Sequence, residues 1–237
     1  MLRLLKAVAL SVWAVPLAAQ ELPDAVGNAL LHIVAHEAGH AVLREFDLPI
    51  LGPEEGIAED FATTCIYLTL PEQAEAIIEA RAAQHLADGD TPGPFSEYRP
   101  DVQRAGRMVC LLYGFYPERF ADLATRSHMG ADVRADCADF APELLRSWRR
   151  TLAPLWIDPA ARVTEVGLSV DPDLQALAAA NAEWGETALD VLARIDWHSR
   201  ITLELAQCDG SAGWRRNGRE IFLCSAYIDR ITAQLAP

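Results

Sequence analysis

The chain has no Cys-x-x-Cys pair, no low-complexity tract, no heptad run and no internal repeat. Without paired cysteines at ligand spacing, its five cysteines do not read as metal ligands, and without a heptad or longer repeat a coiled coil or solenoid is excluded. Positive charge is scarce. Lys and Arg number 20 against 34 Asp and Glu, a formal net charge of -14, so nucleic acid and anionic membrane are poor partners. No apolar run is long enough for a comfortable membrane span. The nearest is residues 7–19, which follow Arg3 and Lys6 and end in the small residues Ala18 and Ala19. That pattern predicts a signal peptide over residues 1–19. Its cleavage removes two positive charges and leaves about 217 residues, enough for one large domain or two small ones. The expected location is periplasmic or secreted, with no stable membrane span after cleavage.

What the chain does have is His36-Glu37-Ala38-Gly39-His40, inside an apolar, helix-periodic segment over residues 29–45. Residues four apart on a helix share a face, so the two imidazoles converge while Glu37, one step round, reaches a water held there. This is the arrangement of a zinc hydrolase: two His ligands and a carboxylate as general base. Chance alone yields such a motif in about one chain in a hundred of this length. His32, one turn earlier, is expected to be a structural histidine.

A third ligand is needed. Pro49, Gly52 and Pro53 break the first helix, and Pro53 stands where another begins. Glu54 and Glu55 in its first turn suit the helix dipole. Glu55 and Glu59 are four apart and share a face, so one can ligate zinc while the other receives the N–H of a ligand histidine. Glu54 falls on another face.

Glu54-Glu55-Gly56-Ile57-Ala58-Glu59 resembles the second helix of thermolysin-like gluzincins, which would make Glu55 the ligand and Glu59 the supporting carboxylate. The chain is also similar to a bacterial metallopeptidase family catalogued as a domain of unknown function, with His-Glu-x-Gly-His followed by Leu-Pro-x-Leu-Gly-x-Glu-Glu. It departs from that family at Gly56 and Glu59, where Asp is usual. The resemblance continues through the stretch around Cys110, Tyr113, Arg119 and Phe120, then Arg134, Cys137, Trp148 and Pro154, covering about residues 28–157. It implies a zincin-like fold with Zn2+ on His36, His40 and Glu55 and Glu37 as the catalytic base.

The expected architecture is α+β and predominantly helical. Helices are predicted near residues 26–46, 54–68, 71–88, 101–113, 117–125, 136–152, 172–194 and 226–235, with a short strand at 163–170. Residues 20–157 form the zincin-like region, and residues 158–237 a helix plus β-hairpin packed on the same domain. Strands at 201–207 and 220–223, joined by a turn over 209–218, make that hairpin. The cysteines suit an oxidising compartment: Cys110 with Cys137 would tie two helices of the family-like region, and Cys208 with Cys224 the hairpin. Cys65 is left as a buried thiol.

Zincins lay a sheet along the metal helix, and its edge strand receives substrate backbone. Only about sixteen mature residues precede His36, too few for such a sheet. The strands are therefore expected from the C-terminal hairpin, as a circular permutation. Tyr113, Tyr116, His128 and His198 are candidates to stabilise an oxyanion, and spacing does not choose among them. Trp214-Arg215-Arg216-Asn217 at the expected hairpin tip could form a contact surface. Two functions fit: a zinc-dependent peptidase acting on peptide or protein, or a zinc-stabilised binding or chaperone-like module that does no chemistry. Glu37 favours the first, because a structural site has no use for a base.

Overall fold

The computed structural model of the protein describes residues 21–235; the expected signal peptide lies outside them. Its spine is α1, Asp24–Glu45, buried on every side from Val26 to Leu43. A helix apolar all round must sit at the centre of its domain. Around it pack α2 (Glu54–Thr69), α3 (Ala74–Asp88), α8 (Ala182–Leu192) and α9 (Ser225–Leu235). Pro53 caps α2, as its fixed φ requires.

Beyond α3 come α4 (Asp101–Phe115), α5 (Ala121–Arg126) and α6 (Ala131–Leu152). The last two differ from expectation. Residues 117–120 form a turn, so α5 starts after Phe120 rather than at Pro117, and α6 begins five residues before Asp136. The expected helix over 172–194 is broken at Asn181 into α7 (Gln175–Ala180) and α8. The Asn181 side-chain carbonyl accepts the Leu22 N–H at 2.8 Å, and its amide donates to the Leu177 carbonyl. Competition of this kind for backbone groups is why Asn ends helices.

Four strands form one sheet in the order β1-β2-β4-β3. They are β1 (Val166–Val170), β2 (Ile201–Ala206), β3 (Ala212–Arg215) and β4 (Glu220–Cys224). The expected pairing is corrected here. β2 and β4 run parallel, with Leu203 opposite Ile221, so they are not a hairpin. The segment read as a turn contains β3, which pairs antiparallel with β4 from Ala212 opposite Leu223 to Arg215 opposite Glu220. The hairpin is β3-β4, turning at Arg219 with φ 51.

Both expected disulfides are present, with Cα atoms 5.3 Å apart at Cys110–Cys137 and 4.9 Å at Cys208–Cys224. The first joins α4 to α6, where Gly114 faces the Cys137 carbonyl too closely for any Cβ. The second ties the end of β2 to that of β4. Cys65 is free and buried, and burial pushes its thiol up to about 12, so it is inert. One apolar cluster runs from Val26 in α1 to Ile231 in α9, so the C-terminal segment shares its core with the helices. Among the described residues no helix is long and apolar enough to cross a membrane.

Candidate metal centre

The metal motif occupies the C-terminal half of α1, where α2 crosses it. The crossing is close because Gly39 has no side chain: a Cβ there would lie 3.0 Å from the Ala58 Cα and 3.1 Å from its carbonyl oxygen. This approach brings the first turn of α2 over His36 and His40. His36 Nε2 lies 3.2 Å from Glu55 Oε2 and 3.2 Å from His40 Nε2, and His40 Nε2 lies 3.5 Å from Glu55 Oε2. The three side chains form a cluster able to hold a cation.

Their spacing tests the fit. Ligand bonds of about 2.0–2.1 Å in tetrahedral geometry place ligand atoms about 3.3 Å apart, and the three measured edges bracket that value. Hydrogen bonding satisfies the triangle poorly, because two imidazole nitrogens facing each other need a proton between two lone pairs. Burial disfavours charge on His40, yet its bonds to Glu55 and Glu54 outweigh that and hold it up to about 9. Burial likewise opposes ionisation of Glu55, but the two histidines keep it well below the usual carboxylate range. The group thus concentrates one positive charge among three donors, and a divalent cation supplies that charge in place of the proton.

Glu37 is buried within the cleft beside His40 and Glu55. Burial raises its carboxyl above the ordinary value, partly offset by the two imidazoles.

The supporting contacts differ from the expectation drawn from helix faces. Glu54, rather than Glu59, contacts a candidate ligand histidine: its Oε1 lies 3.0 Å from His40 Nδ1, and Arg44 holds the same carboxylate. With Nδ1 committed to Glu54, His40 turns Nε2 to the triangle. Glu59 points elsewhere. It is held 3.3 Å from His85 Nε2 and 2.6 Å from Arg104, while His85 Nδ1 lies 2.9 Å from Asp101. His32 is fully buried, 3.3 Å from the Thr63 hydroxyl, and its charge is strongly disfavoured by burial.

None of Tyr113, Tyr116, His128 and His198 lines the cleft. His198 stacks on Phe46 with ring centroids 4.5 Å apart, and Tyr113 carries Arg134 over its ring. The aromatic hydroxyl in the cleft is Tyr98, on the loop between α3 and α4. Burial and the nearby Glu55 carboxylate raise its phenol well above the ordinary value, so it stays a donor at neutral pH. Arg104 lies 5.3 Å from its ring centroid. The loop's neck is closed by two bonds of 2.9 Å, from the Asp90 N–H to Asp101 Oδ2 and from the Asp101 N–H to the Asp90 carbonyl. Sequence reading missed Tyr98, since the only local signal was the Gly-Pro-rich loop around it.

β3 supplies the facing wall of this cleft of about 410 Å3, with Ala212, Gly213, Trp214 and Arg216. The hairpin thus lies against the metal helix, as the missing upstream sheet required. Trp214 is half-buried rather than exposed, with its indole N–H unpartnered among the described residues. Arg215 turns away to Glu204 and stacks 3.9 Å from the Phe222 ring centroid.

No curated protein and no solved structure matches this chain. A family model described as "Putative metallopeptidase" matches residues 11–152, more than half of the chain and all three candidate ligands. The chain therefore belongs to that family, DUF4344, whose description agrees with a centre built from a buried His-Glu-x-x-His helix and the glutamate of the helix crossing it.

Proposed function

We propose that the protein is a gluzincin-like zinc peptidase that works in the periplasm or outside the cell. The observation that carries this reading is the triangle of His36, His40 and Glu55, at tetrahedral spacing, with a buried carboxylate beside it. Two imidazoles and one carboxylate are a common donor set of catalytic zinc, which keeps a fourth position open. Bound there, zinc supplies Lewis-acid activation of water and of the scissile carbonyl.

The chain's own groups do the rest. A Glu37 carboxylate oxygen accepts the proton of the attacking water and passes it to the departing amine nitrogen. The Tyr98 hydroxyl, near Glu55, stands in the same cleft as a donor to the carbonyl oxygen as it gains charge. Substrate backbone aligns with the outer edge of β3, whose other edge is taken by β4. Glu54 and Arg44 hold His40 in orientation.

Elemental analysis of purified mature protein tests the centre. Near-stoichiometric zinc is expected, lost in both His36→Ala and Glu55→Ala. Glu37→Gln should keep zinc and lower hydrolysis of a peptide library by about 100-fold or more. Undiminished hydrolysis by that variant refutes the mechanism, and a wild type free of metal refutes the centre.

A further inference from the structure

The cleft does not end at Tyr98. On the far side of that ring lies a second cavity of about 320 Å3, and Tyr98 lines both. Four arginines line the second space: Arg81, Arg99, Arg104 and Arg230. In a chain of net charge -14 most arginines near acidic groups are paired with them, as Arg104 is with Glu59 and Arg107 with Asp60. Arg99 and Arg230 are different. Neither forms an ion pair among the described residues; Arg230 only lies over the Tyr227 ring, 4.7 Å from its centroid. Arg81 is buried, with one nitrogen on Gln84 and its Nε without a partner.

The cavity has carboxylates of its own, and most are already engaged. Asp101 is held by His85, by the Asp90 N–H and by Arg104. Asp88 receives the amides of Gln84 and Gln234. Asp90, exposed at the loop neck, is the one without a side-chain contact. Two unpaired arginines thus line the cavity against one uncommitted carboxylate. A planar guanidinium matches a carboxylate in shape as well as charge.

We propose that this cavity is a carboxylate-binding subsite, in which Arg99 and Arg230 recognise the anion. Resting on the peptidase reading, the anion belongs to the substrate whose carbonyl lies over the metal triangle. It is either an acidic side chain or the chain's terminal carboxylate, and Arg99 is a specificity-determining residue. Tyr98 separates the reacting carbonyl from the anchored anion by one ring.

Binding can be read without turnover. Calorimetry on the metal-loaded Glu37→Gln protein compares acetyl-glutamate amide, acetyl-Ala-Ala free acid and acetyl-glutamine amide, and is repeated after chelation. At least one acid should bind about tenfold tighter than the glutamine analogue. The amide binding identifies an acidic side chain, the free acid a chain terminus. Arg99→Gln and Arg230→Gln, both at exposed positions that do not hold the fold together, should each raise the acid's Kd about tenfold. Affinity should survive chelation. Equal affinity for the glutamine analogue, unchanged Kd in both variants, or loss on chelation, which would place the carboxylate on the metal, each overturns the subsite. A protein that binds the acid but never hydrolyses peptide refutes the peptidase reading and leaves the subsite standing.

Discussion

Gly39→Ala tests how the packing of two helices sets the metal site. The new Cβ would meet the Ala58 Cα and the Phe61 ring at 3.0 Å, about 0.4 Å short of ordinary contact. The Phe61 ring could rotate, but the Ala58 backbone cannot, so α2 must move away from α1 by a few tenths of an ångström. Over-packing of this kind costs about 1–3 kcal/mol, and the gain in helix propensity from Gly to Ala returns about 1 kcal/mol. Global stability should therefore fall by only about 0–2 kcal/mol in urea unfolding. The metal should feel more, because Glu55 rides on α2 while His36 and His40 stay on α1. Ligand distances tolerate about 0.2 Å, so a shift near 0.4 Å should weaken zinc binding on the order of tenfold in chelator competition. Gly106→Ala is the control: nothing lies within 4 Å of its Cβ and it is an exposed site in α4, so it should stabilise by about 0.5–1 kcal/mol without touching affinity. If Gly39→Ala binds zinc as tightly as wild type, the close crossing is not what places Glu55.

Glu54→Gln, which keeps the shape and loses the charge that orients His40, should weaken zinc binding about 10–100-fold with the fold intact; unchanged affinity in chelator competition would show that Glu54 merely salt-bridges Arg44. Stability of the chelated protein should fall on acidification. His32 is held neutral by burial, so its folded pKa lies below the ordinary 6.5, and below that pH the unfolded chain binds a proton that the folded chain refuses. Its contribution is complete above pH 6.5 and lost as pH falls through the folded pKa, by up to about 1.4 kcal/mol per unit. His40, raised to about 9, opposes this slope near pH 6.5, where its unfolded imidazole is only half protonated, and adds none once both states are protonated below about pH 5.5. Glu59, held well below the usual carboxylate range, adds its own loss only below about 4.5. Urea midpoints from pH 6.5 to 5 should show the slope, and His32→Gln should reduce it to the share of His85, whose imidazole burial also holds below its ordinary value; an equal slope in the variant assigns the proton to His85.

The residues that could be read from sequence are those whose geometry is local. His36, Glu37 and His40 sit at fixed offsets on one helix and Pro53 marks the start of the next, while spacing alone left Glu55 and Glu59 open and the gluzincin resemblance pointed to Glu55. Glu54 escaped because helix periodicity tells which residues share a face, not what a crossing helix presents to them. The wheel set Glu54 apart from Glu55, yet the crossing places His40 Nδ1 toward one and Nε2 toward the other. β3 escaped for a different reason. Four residues containing Gly213 carry almost no alternation, and their pairing with β4, like that of β2, is decided by the sheet. Tyr98 is placed by a loop neck closed through Asp90 and Asp101, a contact no periodicity reports.

The site's parts therefore divide along the chain. The candidate ligands, Glu37 and Tyr98 all fall within residues 11–152, the segment that matches the family. The opposing wall, residues 212–216, falls outside it and arrives from the far end of the sequence. Activating water needs only the first set, whereas choosing a substrate needs both, since the backbone edge lies on β3 and the arginine cavity behind Tyr98 is completed by Arg230 of α9. A strand beside the metal helix can receive a peptide whether it precedes or follows that helix in sequence, because its service depends on position in space. The C-terminal hairpin meets that condition, and the disulfide at Cys208–Cys224 ties its strand β4 to β2 at the sheet end from which α9 leads back to α1 and α3. On the proposed function, chemistry and selectivity sit on segments that can change independently: a substitution at Arg230 or in β3 is expected to alter what is cut while leaving the triangle of His36, His40 and Glu55 as it stands.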